Sequence, residues 1–379
     1  MIIGIDASRN RSGGTIAHMV GLLSELVPSE HGISEVHVWS HKNLLDEIPE
    51  MPWLIKHNPT FLEKNLFLQL FWQRFILKKE LEKNKCKIVF NTTSSSIGKF
   101  MPNVTLSQDM LPFEPGEMQR YKLGLGRARL FFLKILYIRA LRFSSAVIFL
   151  TNYASRMIQD VTGPIGNSVI IPHGVKNSFA NIQAQRTWSD SLKGDIRCIY
   201  ISSAAPYKHQ WHVVRAIKLL RNQGVPVTLT LVGGGSGSAQ KRLDREIELS
   251  DPTGVFVTKH SFVHLDKIPD LLSQADLFIF ASSCENMPVT LIEGMASGLP
   301  IACSDRGPMP EVLGEGGVYF DPEKPSSIAT AVHSLVKDST IRINGINISK
   351  NIAKEYSWKT SSKMTFAFLV RIINSNKSA

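Results

Sequence analysis

The chain has 379 residues, 43% of them hydrophobic, and a formal net charge of +11. That length suits two domains, the composition is that of a globular protein, and no apolar run reaches the ~18 residues of a spanning helix. The basic balance fits nucleic acid, anionic lipid or a phosphorylated substrate, but the sequence contains no nucleic-acid module, so nucleic acid is not expected as a partner.

The N-terminus, MIIGIDASRN, enters a strand-like run without a basic n-region. No secretory signal is expected there, and the chain is assigned to the cytoplasm. In the first half IIGIDA, EVHVWS, KIVFNT, NVTLSQ and AVIFLT are predicted strands, short and rich in Val and Ile. The second half repeats the pattern with IRCIYISS, PVTLTLVG, VFVTKH, ADLFIFAS and LPIACSD. Strands of this kind, separated by helical stretches, predict an α/β protein with two doubly wound parallel sheets meeting at a cleft. The polar stretch from 171 to 195 is the predicted linker.

Ligands of such sheets bind beyond the carboxyl ends of the strands. Two glycine-rich turns lie at strand ends: RSGGT, with Gly13 and Gly14, and VGGGSGS, with Gly233 and Gly235. Each lets a backbone approach a ligand, and each is equally readable as an ordinary strand-to-helix turn. Neither completes G-x-G-x-x-G, since Ser238 stands where the last glycine would be. The four cysteines, Cys86, Cys198, Cys284 and Cys303, have no metal-ligand or CxxC spacing and are expected to be reduced, buried thiols.

From Met118 to Gln159 there is no acidic residue, while Arg120, Lys122, Arg127, Arg129, Lys134, Arg139, Arg142 and Arg156 all lie in that span. The segment from Arg127 to Phe143 is helical in length, basic and apolar. It reads either as a membrane-surface helix or as a domain helix mostly buried, with its arginines reaching out at the edges.

The most informative stretch is SSCENMPVTLIEGMASGLPIACS, residues 282–304. Pro288 suits a first helical turn, Val289 to Ser297 form the predicted helix, Gly298 caps it and Pro300 forbids continuation. Glu285 then lies in the loop and Glu293 about a turn and a half into the helix. Two carboxylates beside a helix N-terminus suit a ligand carrying both sugar hydroxyls and phosphate. The plainer reading is one acid at a helix start and one facing solvent.

This stretch resembles the E-x7-E signature of the family 4 retaining glycosyltransferases of GT-B fold. The resemblance extends over most of the chain, through VIIPHGV, YISSAAPYKHQWHVVRAI, LTLVGGGSGSAQKRL, SFVHLDKIPDLLSQADLFIFAS and YSWKTSSKM. It implies residues 1–175 as an acceptor-binding domain, 176–355 as a nucleotide-sugar-binding domain, and 356–379 as a helix returning to the first. It implies transfer of a sugar from a UDP- or GDP-linked donor to a hydroxyl of a glycan or lipid-linked acceptor, with retention, in surface polysaccharide (O-antigen-like) assembly. No metal and no cofactor are expected, since a lysine and helix amides balance the leaving diphosphate.

By the same resemblance Lys208 neutralises the diphosphate and Glu285, with Asn286, Met287, Pro288 and Val289, holds the transferred sugar. Glu293 holds the ribose, Gly233, Gly235 and His264 join the donor site, and Gly13, Gly14 and Asp109 lie toward the acceptor. Two positions depart from the pattern. Ser203 stands near the place of the family's diphosphate arginine, with Arg306 the substitute cation considered, and Gln108 stands where a histidine often precedes the aspartate. The rival readings are a nucleotide-sugar epimerase or a sugar phosphorylase of the same architecture, and a non-catalytic partner subunit. A phosphorylase would need a lysine-bound pyridoxal phosphate, whereas Lys208 is better explained by the diphosphate.

Overall fold

The structure is a computed structural model and describes residues 1–11, 13–121, 124–182, 188 and 194–376. The chain forms two compact units, Met1–Gly174 with Ser357–Ala379, and Val175–Tyr356. Lys122 and most of the polar stretch after residue 182 lie outside the described residues.

In the first unit seven strands form one parallel sheet: β1 (Ile2–Asp6), β2 (Glu35–Trp39), β3 (Leu54–His57), β4 (Ile88–Asn91), β5 (Asn103–Leu106), β6 (Ala146–Phe149) and β7 (Ser168–Ile170), in the order β3-β2-β1-β4-β5-β6-β7. The central strands are apolar because both faces are covered; β4, β5 and β6 are buried at every residue. The edge strands β3 and β7 are half-exposed; β3 is not among the predicted strands, while β7 overlaps VIIPHGV, which the family resemblance implies as an interdomain strand.

The C-terminal helix Trp358–Ser375 belongs to this unit. Two glycines make the fit. A Cβ on Gly21 would meet the Trp358 ring at 2.4 Å, and one on Gly174 would meet the Trp358 backbone nitrogen at 2.1 Å. The Ser362 hydroxyl donates to the Leu22 carbonyl at 2.8 Å.

In the second unit β8 (Ile196–Ile201), β9 (Val227–Val232), β10 (Val257–His260), β11 (Leu277–Phe280), β12 (Ile301–Ser304) and β13 (Val318–Phe320) form a parallel sheet in the order β10-β9-β8-β11-β12-β13. The short edge strand β13 is the one that the sequence pattern does not reveal. Both sheets reverse their winding beside the first strand, between β1 and β4 and between β8 and β11. These are the points where the carboxyl ends open toward ligand.

The helix after β11 spans Val289–Ser297 and ends at Gly298, whose φ of 74° is the left-handed conformation a helix C-cap requires. Pro288 sits immediately before it and not inside its first turn. Among its described residues, the stretch expected to be a loop linker holds one short helix, Asn177–Ala180, which packs against the 289–297 helix and buries Phe179.

The basic helix runs Leu125–Arg142. Among its described side chains only Tyr137 and Leu141 are buried, which overturns the mostly buried reading: Phe131, Phe132 and Ile135 are exposed. Among the described residues no helix is long and apolar enough to cross a membrane. All four cysteines are free and buried.

Candidate functional site

Lys208 and Glu285 follow β8 and β11, the two strands that flank the switch point of the second sheet. Lys208 closes a 3₁₀ turn, Pro206–Lys208, and its carbonyl accepts a hydrogen bond from the Tyr200 hydroxyl at 2.8 Å. The chain then turns sharply at His209, whose φ is 49°. Contacts between the two loops hold them together: Ser283 donates its backbone N–H to the Tyr207 carbonyl at 2.8 Å, and the His209 ring lies 2.8 Å from the Ser283 hydroxyl. Across this junction the Lys208 ammonium pairs directly with the Glu285 carboxylate, with 14% and 15% of the two side chains exposed. The ammonium also lies 5.3 Å from the Tyr207 ring centre and 5.8 Å from that of Phe280.

Asn286 and Met287 are buried behind Glu285. The 289–297 helix starts there, with the Leu291 and Ile292 amides bonding back to the Pro288 carbonyl at 2.9 and 3.2 Å. Its positive end is therefore beside the Lys208–Glu285 pair. Glu293 is half-buried one turn into that helix, and burial pushes its carboxyl up to about 8, against a smaller opposing pull from the Lys176 charge.

The glycines after β9 have a structural reason to be glycine. Gly233 has a φ of +103°, and a Cβ there would meet the Ser202 carbonyl oxygen at 2.6 Å. The same atom on Gly234 would meet the Ser261 carbonyl at 2.7 Å, and on Gly235 the Ala204 carbonyl at 2.8 Å. This turn threads between the backbones that leave β8 and β10. His264 is exposed and lies 3.4 Å from Asp266, which faces Lys176 at 3.9 Å. Arg306 is bound to Asp305 at 3.1 Å and to Asp321 at 3.2 Å, so its charge is already balanced; Ser203 is exposed.

The first unit carries a second group of polar residues beyond the ends of β1, β5 and β7. Gly13 and Gly14 open the helix Gly13–Ser24, and nothing lies within 4 Å of a Cβ on either. Asp109 is exposed and accepts a hydrogen bond from Tyr137. Gln108 lies 3.3 Å from the His18 ring, whose centre is 4.5 Å from that of the His173 ring, the two rings tilted at 44°. Burial lowers both imidazoles, His173 to about 3, so both are neutral. The Ser8, Asn10, Ser107 and His173 side chains each bury a polar atom without a hydrogen-bond partner. Asn10 and Ser107 follow β1 and β5, directly before the RSGGT turn and Gln108, yet were not themselves singled out; strand-end polar residues stand out only once the topology is known.

Residues 195–338, within the second unit, match the family described as Glycosyl transferases group 1. The O-antigen chain mannosyltransferase B of Escherichia coli is 24% identical over 167 residues, 44% of this chain and 44% of that protein. The chain thus aligns with less than half the length of this curated relative. Among solved structures, a sucrose-phosphate synthase from Thermosynechococcus elongatus superposes with a TM-score of 0.76 at 15% identity, covering 99% of this chain and 100% of that one. The Anabaena protein HepE, solved in complex with UDP and glucose, superposes with a TM-score of 0.72 at 17% identity, covering 100% and 99%. The fold is GT-B.

Proposed function

We propose that this chain is a retaining, metal-independent glycosyltransferase that moves a sugar from a UDP- or GDP-linked donor to a hydroxyl of a glycan or lipid-linked acceptor in surface polysaccharide assembly. The observation that carries the reading is the Lys208–Glu285 pair at the β8/β11 switch point, beside the positive end of the 289–297 helix. The family match over 195–338 and the UDP in the HepE structure support a nucleotide-sugar donor.

Donor binding exchanges partners within this pair. The diphosphate takes the Lys208 ammonium, and the sugar hydroxyls take the freed Glu285 carboxylate together with the backbone of Asn286 to Val289. Both ions stay compensated, which matters because an unpaired buried charge is costly. The ribose hydroxyls donate to Glu293, favouring its ionised form, so the carboxyl sheds its proton on binding. Gly233, Gly235 and His264 shape the rest of the donor pocket.

In the transfer step the acceptor oxygen bonds to the anomeric carbon as the bond from that carbon to the diphosphate oxygen breaks. The acceptor proton passes to the departing diphosphate, and Lys208 and the helix amides stabilise the charge that develops there. Gln108 has no basic atom to take that proton. Gly13, Gly14 and Asp109 are assigned to the acceptor, and the exposed basic helix 125–142 to peripheral contact with an anionic membrane. Incubation with labelled nucleotide-sugars, with and without EDTA, tests the reading. Transfer with the donor's anomeric configuration, unaffected by EDTA, supports it; isomerisation alone would indicate an epimerase, and no turnover a non-catalytic subunit.

A further inference from the structure

The Leu66–Phe75 helix turns an apolar side to solvent: Phe67 is 83% exposed, and Phe71 and Phe75 are exposed as well. The 125–142 helix does the same with Phe131, Phe132 and Ile135, and Phe143 follows it at 69% exposed. Between these two helices, over β4 and β5, lies a cavity of about 560 Å³. Its walls carry Arg74, Lys99 and Arg139 beside Met101 and Phe143, its floor carries Asn91 and Thr105, and among the described residues no acidic one lines it. Among the described residues none of the three cations enters an ion pair. Arg74 and Arg139 instead lie over the exposed rings of Phe75 and Phe143, at 5.3 and 5.2 Å.

A cavity with uncompensated cations calls for an anion. The exposed aromatic rings of the two helices that flank it call for an apolar phase, because so much exposed apolar surface is unusual on a chain that remains in water. One occupant meets both demands at once. We propose that this cavity binds the phosphate headgroup of an anionic membrane lipid, while the Phe67, Phe71, Phe131 and Phe132 rings enter the adjoining acyl region. Charge complementarity sets the headgroup, and the exposed rings set the membrane over a free phosphate ion. The inference deepens the peripheral attachment proposed above by adding a second helix and a defined site.

The test is sedimentation of the full chain with vesicles of phosphatidylcholine and 30% phosphatidylglycerol, for native protein, Arg74→Gln/Lys99→Gln, and a charge-matched control, Lys241→Gln/Lys337→Gln, in the second unit. All three should keep the native circular dichroism spectrum, since the changes are at the surface. The cavity variant should lose about 30-fold in partitioning, roughly fivefold per basic contact, and the control less than about threefold. Phe67→Ser/Phe71→Ser should abolish the binding that persists at 0.5 M NaCl, where charge attraction is screened. Equal losses in the two charge variants would show that net charge alone drives binding and would overturn the site. Absence of vesicle binding in the native chain would overturn it too, as would stabilisation by glycerol 3-phosphate without vesicle binding, which would identify a free phosphate. Nucleoside diphosphate binding, measured on the same preparations, is independent of all these outcomes, so failure here is distinguishable from failure of the transferase reading.

Discussion

Replacing Glu285 by Gln should strengthen nucleoside diphosphate binding while it lowers turnover. In the ligand-free chain Glu285 neutralises Lys208, with 14% and 15% of the two side chains exposed. Two such charges near 4 Å at an effective dielectric of ~20 attract by ~4 kcal/mol. Desolvation and the remaining water contact offset much of that, leaving ~1.5–3 kcal/mol that a diphosphate must now displace. Gln keeps the size of the side chain and one carbonyl acceptor but removes the charge. The ammonium then faces the diphosphate unopposed, and affinity should rise about 10- to 100-fold. The same unpaired ammonium should lower the melting temperature of the ligand-free variant, and saturating nucleotide should restore it. Sugar transfer should fall by ~100-fold, because the carboxylate that holds the sugar is gone. Titration calorimetry with UDP and GDP measures the first effect. Affinity that is unchanged or weaker in a folded Glu285→Gln protein would refute the exchange of partners.

Lys208→Ala should lower turnover by ~100-fold or more and weaken diphosphate binding, since Arg306 is already held by two aspartates; steady-state kinetics decide it. Glu293 carries a pH signature: its carboxyl sits at about 8 in the folded chain, against the usual 4.5. Between these values the folded state holds a proton that the unfolded state has lost, so stability should fall as pH rises from about 5 to 8, and Glu293→Gln should flatten that slope in thermal melts. Nucleotide binding near pH 7.5 should release a proton from native protein and none from Glu293→Gln, as buffer-dependent calorimetry would show. Gly233→Ala should cost about 2–4 kcal/mol in denaturant unfolding, because its Cβ would fall 2.6 Å from the Ser202 carbonyl oxygen in a backbone at φ +103°.

The central strands were legible because β4, β5 and β6 are short apolar runs buried on both faces. β3 and β13 were not legible as strands because edge position leaves them half-polar or only a few residues long, and β7 was marked only through the resemblance of VIIPHGV. The 289–297 helix was readable to the residue, since Gly298 and Pro300 fix its end. The Lys208–Glu285 pair was beyond the reach of local pattern: the residues are 77 apart, and only the strand order β9-β8-β11 brings their loops together. The upward shift of the Glu293 carboxyl depends on how neighbouring elements cover one helix turn, which no spacing encodes. The glycine loop was readable as a place of close approach. Its partners, though, are the carbonyls of Ser202, Ser261 and Ala204, a packing demand that holds with or without a ligand. The basic helix was ambiguous for a related reason: Phe, Leu and Ile on more than one face look the same in sequence whether protein or solvent covers them.

The central claim is that the β8/β11 switch point binds the diphosphate of a nucleotide-sugar through Lys208. Titration of UDP, GDP and ADP into native and Lys208→Ala protein, alongside thermal melts, tests it most directly. The account predicts that UDP or GDP binds the native chain one to one, raises its melting temperature by about 5–10 °C at a hundredfold excess over Kd, and binds Lys208→Ala at least ~10-fold more weakly. Failure of all three nucleotides to bind, or equal affinity for the native and Lys208→Ala chains, would contradict it.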